Sequence, residues 1–445
     1  MKLIETIKNI WKIEDLRKRL ITTFLFILIY RFGCHVVLPG INPSDLEAMR
    51  NLTNSGLMQL LDMFSGGAFG QASIFALGIM PYITASIVIQ LMGMVVPSFQ
   101  KMQREGESGR MKLNQYTRYL TVAILLVQAP AYLMNLQYQV NAAGGHAHIS
   151  GWTMIYLSIV LTAGAMLIMW LGEKMTDKGI GNGISIIILV GILARFPGAI
   201  VQEFTSRLNT AQGGLVMFLV EIVILFAVTA GAVMLTQGTR KVPVQYAKRI
   251  VGNKQYGGAR QYIPLKVNAA NVMPIIFAQA LMFIPITLAG FGARQDASGF
   301  GGWLSRTFGD MNGFWYNVVY FLMIVAFTYF YTAITVRPTQ MAEEMKKNSG
   351  FIPGVKPGKK TAEYLDSIMS RITLPGSIFL GIVAILPAFA RYFGINQQFA
   401  QFFGGTSLLI TVGVVLDTLQ QIETHLMMHH YDGLMKSGKI KGRNR

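Results

Sequence analysis

The sequence predicts an all-α polytopic membrane protein with about ten transmembrane helices. Two facts of composition point there: 52% of the 445 residues are hydrophobic and only 13% are charged, against roughly 25% charged in a typical soluble domain. The third observation is arrangement. Apolar runs of about 18 residues or more, each long enough to cross ~30 Å of hydrocarbon, recur from end to end. A soluble fold can bury one such run, but a series of them needs lipid.

Bounded by charge, Pro and Gly, the runs lie near 20–38, 72–96, 119–136, 152–171 and 183–201, then near 214–236, 270–291, 314–336, 372–390 and 403–422. The start does not read as a cleaved signal, because no small-x-small pattern follows Leu20 to Tyr30 before Pro39. Ahead of the first run, Ile4, Ile7 and Trp11 recur at helical spacing among Lys2, Lys8 and Lys12. That segment reads either as an amphipathic helix in the headgroup region or as a basic anchor.

Orientation follows from the basic residues. Of the 39 lysines and arginines, 32 fall in the termini and in connections 2/3, 4/5, 6/7 and 8/9, and only seven, Arg31 and Arg207 among them, on the other side. Basic flanks stay cytoplasmic, so both termini are expected in the cytoplasm, which ten spans satisfy. Five spans per half make the halves inverted relative to each other. The expected organisation is a cytoplasmic segment 1–19, halves 20–205 and 206–425, basic loops 237–269 and 337–371, and a cytoplasmic tail 426–445.

The net charge of +18 is thereby used in orientation rather than as a sign of nucleic-acid binding. Cys34 is the only cysteine, which excludes an intrachain disulfide and a cysteine-based metal site. Gly179-Ile180-Gly181-Asn182-Gly183 lacks the last glycine of GxGxxG and joins two spans, so it reads as a tight interhelical turn. There is no Walker A sequence and no HExxH. His429-His430 are adjacent, point in different directions on a helix and read as solvated tail. Arg31, Glu221 and Asp417 are the clear ionisable residues within spans, each toward a helix end where it can reach the interface. Neither an enzyme nor a cofactor or metal is expected.

Two features lie between spans. Leu57 to Phe64, LMQLLDMF, is followed at once by Ser65-Gly66-Gly67. As a helix it would be only ~12 Å long, too short to cross, and composition alone favours a surface turn over a helix dipping inward. Three connections are long and basic: Gln100 to Asn114, Thr239 to Lys266, and Arg337 to Arg371. The third combines Pro-Gly turns, a basic cluster and an amphipathic helix, the composition of a docking surface for an anionic or acidic partner.

Longer motifs carry a resemblance. MFSGGAFGQASIFALGIMPYITASIVIQL (63–91), EGESGR (105–110), QYTRY (115–119) and MWLGEKMTDKGIGNGISIII (169–188) resemble segments of the SecY family, the channel-forming subunits of the bacterial Sec translocon. QYAKR (245–249), PLKVN (264–268), FYTAI (330–334) and FGGTSLLI (403–410) extend the likeness over essentially the whole chain.

The resemblance implies a protein-conducting channel of two inverted five-helix halves with a short re-entrant plug helix. The plug would comprise Leu57, Leu60, Leu61, Met63, Phe64, Gly66 and Gly67. Ile79, Ile83, Ile184, Ile188, Ile276 and Ile410 would form a hydrophobic pore ring, able to exclude ions by dewetting without holding a polypeptide tightly. The first two pairs have i, i+4 spacing and so share a helix face. Thr84, Gln90 and Asn268 match lateral-gate positions. Arg240, Lys241, Lys248, Arg249, Lys356, Lys359 and Lys360 would dock the ATPase SecA or the ribosome, the latter through its RNA. The implied partners include the small membrane subunits SecE and SecG, signal peptides, nascent chains, membrane lipids and the accessory proteins SecDF and YidC, in a bacterial plasma membrane. Lys356 departs from the pattern, since the family usually has Arg in this Gly-x-x-Pro-Gly turn; Lys keeps the charge and loses the planar fork. The competing readings are an inverted-repeat secondary transporter, which would need polar groups near the midplane, and a non-conducting scaffold.

Overall fold

The computed structural model describes residues 11, 13–41, 62, 65–142, 151–209, 214–246, 249–251, 254–256, 260–270, 272–279, 281–282 and 313–436. Seven of the described helices are long and apolar enough to cross a bilayer, or eight if one bent pair counts as a single span. The chain divides into two compact units, Met1–Ile200 with Val414–Arg445, and Val201–Gly413.

The first unit opens with α1 (Glu14–Cys34). It carries Arg17, Lys18 and Arg19 near one end and Arg31 near the other, so its uninterrupted apolar part is too short to place it among the seven although it covers most of the first predicted span. The second predicted span, 72–96, is helical only from Met80: α2 (Met80–Val95) is preceded by a chain of turns over 65–79. A 102° bend separates α2 from α3 (Pro97–Arg104). Its cause is local, because Val96 precedes Pro97 and is driven to extended backbone, φ −98° and ψ 118°.

The connection expected over 100–114 is helix rather than loop. After the break at Glu105–Gly106, α4 (Glu107–Ala142) starts well before the apolar run and continues through it. Hydropathy marks only the lipid-facing part of a helix, so a polar extension escapes it. That extension is tied to α5 (Gly151–Lys178) by Arg118, which donates to both oxygens of Glu173 at 3.1 and 2.6 Å. The core here joins Leu38, Phe69, Ala72 and Ala76 of the α1–α2 connection to Ala129, Tyr132, Leu133 and Leu136 of α4 and Leu157 and Leu161 of α5.

Gly179 to Asn182 is the tight turn expected. Gly181 has φ +78°, a region open to glycine, and its N–H donates to Gln421 Oε1 at 2.8 Å. Asn182 Oδ1 accepts from the N–H of Ile184 at 3.1 Å and so caps α6 (Gly183–Asn209), while Thr23 Oγ1 accepts from Ile180 N–H.

In the second unit, the end of α6 is followed by α7 (Gly214–Gln237), a helical stretch over 273–279, α8 (Phe314–Thr335), α9 (Pro338–Lys347), α10 (Lys359–Tyr392), α11 (Gln397–Ala400) and the start of α12 (Gly405–Lys436). α8 and α10 lie side by side, with the Phe321 ring against Gly381. Phe277 meets Phe327 and Tyr331 at ring distances of 5.8 and 5.3 Å.

The all-α expectation is exceeded at one place. The connection 239–266 is strand: β1 (Thr239–Tyr246) pairs antiparallel with β4 (Arg260–Lys266), with Val242 opposite Ile263, and β2 (Arg249–Val251) pairs with β3 (Lys254–Tyr256). β1 also pairs with β5 (Gly350–Phe351) from the next basic loop, giving the sheet order β4-β1-β5. In K-V-P-V-Q-Y, alternate residues Val242 and Val244 are buried and Lys241 and Pro243 exposed, the period of a half-buried strand.

Candidate functional site

The chain preceding α2 folds back on itself and is held by side chains from three helices. The peptide N–H of Gly67 donates to Asp62 O at 2.8 Å and that of Phe69 to Ser65 Oγ at 3.0 Å. From α1, Tyr30 Oη donates to Ser65 O at 3.1 Å and Arg31 Nη1 to Gly66 O at 2.9 Å. From α4, Tyr132 Oη donates to Phe69 O at 2.8 Å. From α6, Arg195 pairs with Asp62, whose other oxygen accepts from Gly70 N–H at 2.6 Å. Gly66 and Gly67 have φ of +68° and +92°, and a Cβ on Gly66 would come 3.0 Å from the Gly191 backbone of α6. Both glycines are therefore needed for conformation, and the first also for the close approach. Leu57, Leu60, Leu61, Met63 and Phe64 lie outside the described residues.

Arg31 thus does not extend to an interface as its position suggested; it ends on a peptide carbonyl. Asp417 is exposed on α12.

Ile79 caps the start of α2 and is buried, as are Ile188 on α6 and Ile410 on α12, while Ile83, Ile184 and Ile276 are partly buried. Ile184 packs across Gly172 of α5, its Cγ1 3.0 Å from where a Cβ there would sit. Thr84 Oγ1 donates to Met80 O at 3.1 Å within its own helix, and Gln90 Nε2 to Ser86 Oγ at 3.4 Å. Asn268 is buried just after β4.

The two basic loops of the second unit build one surface. Val242, Val244 and Leu265 of the hairpin, Met345 of α9, Ile352 beside β5, and Leu365 and Met369 of α10 share a core. Arg240, Lys241, Lys356, Lys359 and Lys360 are exposed around it, whereas Lys248 and the side chain of Arg249 lie outside the described residues. Lys356 sits in a turn between Gly354 and Gly358, at φ +85° and +105°. Thr361 closes that turn by donating Oγ1 to Lys356 O at 2.9 Å. The amphipathic helix expected in this loop is the first part of α10 itself, with Thr361, Ala362, Leu365 and Met369 buried.

Sequence reasoning missed a buried ionic cluster. Arg207, near the end of α6, donates Nε to Glu203 Oε1 at 2.9 Å and Nη2 to Glu221 Oε1 at 2.6 Å, and Nη2 also to Gly394 O at 3.1 Å. Glu203 Oε2 accepts from Asn396 N–H at 2.9 Å. Glu203 and Glu221 are each 1% exposed, so Glu221 is enclosed rather than reaching for an interface. The i, i+4 spacing of Glu203 and Arg207 was the available signal.

Many apolar helices, a turn-rich segment tied into the first unit and a basic sheet-bearing surface on the second define a multi-pass helical membrane protein with the fold of protein-conducting channels. Three solved structures share that fold, each covering 92% of this chain and of its own: a protein-conducting channel (TM-score 0.59), a SecY studied for its plug domain (0.61), and Sec61 from a canine ribosome-channel complex (0.55), all 19% identical. The SecY family model matches residues 73–419, and the chain belongs to the SecY family. Among similar relatives, the protein translocase subunit SecY of Streptomyces galbus is 43% identical over 96% of this chain and 98% of its own. That of Halalkalibacterium halodurans is 44% identical over 98% of this chain and 100% of its own.

Proposed function

We propose that this chain is the central pore subunit of a Sec protein translocase, passing unfolded secretory polypeptides across the membrane and releasing apolar segments sideways into lipid. The observation that carries the reading is the family match over most of the chain together with the shared channel fold. Ile79, Ile83, Ile184, Ile188, Ile276 and Ile410 ring the pore. Leu57 to Gly67 plugs it at rest. Thr84, Gln90 and Asn268 line the lateral gate, where weak polar contacts hold without preventing opening. The stretches 20–205 and 206–425 are the channel's two inverted five-helix halves.

The exposed cations Arg240, Lys241, Lys356, Lys359 and Lys360, with Lys248 and Arg249, dock SecA or ribosomal RNA. For the five exposed cations the support is placement: charges from two loops surround one packed core and project from it. SecE and SecG complete the complex in a bacterial plasma membrane, with both termini cytoplasmic. The chain has no catalytic residue, and the energy comes from the docked partner.

The test is site-specific crosslinking from a photoreactive residue at 83 or 276 during arrested export of a secretory chain. Labelling of the arrested chain from both positions supports the pore, and labelling of lipid alone overturns it.

A further inference from the structure

We infer that Thr23 of α1 is a positioning residue for the pore: its hydroxyl fixes the turn from which α6 starts and, through that turn, where Ile184 stands. The inference rests on the pore-ring assignment proposed above and adds a residue from another helix on which that ring depends.

The turn Gly179-Ile180-Gly181-Asn182 has little of its own to hold it. Asn182 supplies its one polar side chain, and that is spent on α6, where Oδ1 accepts from the N–H of Ile184 and of Ser185 at 3.1 and 3.4 Å. The peptides before it are met from other helices of the first unit. Ile180 N–H donates to Thr23 Oγ1 at 3.1 Å, Gly181 N–H to Gln421 Oε1 of α12 at 2.8 Å, and Gly179 O accepts from Arg19 Nη1 at 3.3 Å.

These anchors are not equivalent. Gln421 is exposed and the Arg19 side chain is 33% exposed, so water can stand in for either. Thr23 is 9% exposed and Ile180 3%. A Cβ on Gly179 would fall 2.5 Å from Thr23 Oγ1, so the chain passes too close for water to enter. The same hydroxyl donates to Arg19 O at 2.9 Å and stands between the two backbones with both its roles filled. Removing it leaves a buried N–H without an acceptor, and that N–H regains a partner when the turn shifts toward solvent.

From the turn to the ring residue the path is short. A Cβ on Gly183 would collide with Gly172 O of α5, and Ile184 lies across Gly172. Glycine against backbone sets how near α5 and α6 come and interlocks no side chains, so the rotation of α6 about its axis is governed by the hydrogen bonds at its start. A shift at Ile180 re-aims Ile184, and Ile188 on the same helix face follows it.

The experiment uses the complete translocase complex in vesicles, with a photoreactive residue at 184 or at 83, and compares labelling of an arrested secretory chain. Thr23→Val, which keeps the branched shape and loses the hydroxyl, is expected to lower labelling from 184 at least threefold and to leave labelling from 83 as in the parent. Thr23→Ser restores it, and Gln421→Met changes it less than twofold. In the parent itself, the Ile180 amide exchanges with deuterium at least tenfold more slowly than that of Gly181. Unchanged labelling from 184 in Thr23→Val, an equal fall at both positions, failure of Thr23→Ser to restore it, or equal exchange at Ile180 and Gly181 overturns the role of Thr23. A parent complex that labels the chain from neither position overturns the pore ring instead, and this inference with it.

Discussion

Arg207 and Glu221, fourteen residues apart on different helices, share a 2.6 Å hydrogen bond between opposite charges at a site where Glu221 is 1% exposed. With Glu203 on the other side of the guanidinium and the peptides of Gly394 and Asn396 closing the ring, the arrangement joins α6, α7 and the α10–α11 connection.

Replacing the cation is expected to cost far more than replacing one anion. Arg207→Met leaves two enclosed carboxylates without counter-charge, a loss of about 3–5 kcal/mol. Glu221→Gln keeps an acceptor oxygen for Arg207, while Glu203 still balances the charge, so it costs about 1 kcal/mol or less. Thermal melting of the detergent-solubilised protein separates the two, and equal losses would show that charge pairing is not what holds the site.

Lys356→Glu is expected to reduce SecA-driven export severalfold with no change in melting temperature. The side chain is exposed on a turn whose shape depends on Gly354, Gly358 and Thr361, none of them altered. Export by vesicles bearing the variant, assayed at fixed SecA, decides it; a rate equal to the parent would remove Lys356 from the proposed docking surface.

The hairpin and the start of α10 are expected to loosen together. Leu365 is 1% exposed in a core shared with Val242, Val244 and Ile352, and Leu365→Ala opens a cavity worth about 2–5 kcal/mol. Hydrogen exchange should quicken in β1 and in the first turns of α10 while α4 and α5 stay protected. Faster exchange confined to α10 would mean the sheet is supported elsewhere.

Gly164→Ala is expected to lower the amount of folded protein in the membrane. A Cβ there would collide with Ile74 O and come 2.8 Å from Ile74 Cγ2, and backbone cannot step aside as a flexible side chain can. Gly198→Ala, with open space at the corresponding point, is the matched control. Quantitative blotting of membranes from both variants checks it.

The apolar spans were legible because lipid demands uninterrupted apolar surface, and α5, α7 and α8 begin within a residue or two of where hydropathy places them. Polar continuations were not: the first turns of α4 and α10 carry ordinary polar and charged surface composition, which hydropathy does not distinguish from a loop. β1 was readable in principle from the alternation of Lys241, Val242, Pro243 and Val244, but its partner β5 lies about a hundred residues on and contributes two residues, too few to show a period. The ionic contacts were hidden for another reason. Arg195 and Arg207 are unremarkable near the end of an apolar run, and only the fold brings Asp62 to one and Glu221 to the other.

α10 runs unbroken for 34 residues, about 51 Å, and its first 13 or so residues, roughly 20 Å, precede the apolar stretch. The Lys356 turn sits directly on the near end of that rod and is bonded to it through Thr361. A hinge between the turn and the span would absorb a push as local bending. Here the helix is continuous and free of proline from the turn past Met369, so a displacement of the turn is handed along it as far as Pro375 rather than absorbed at its end.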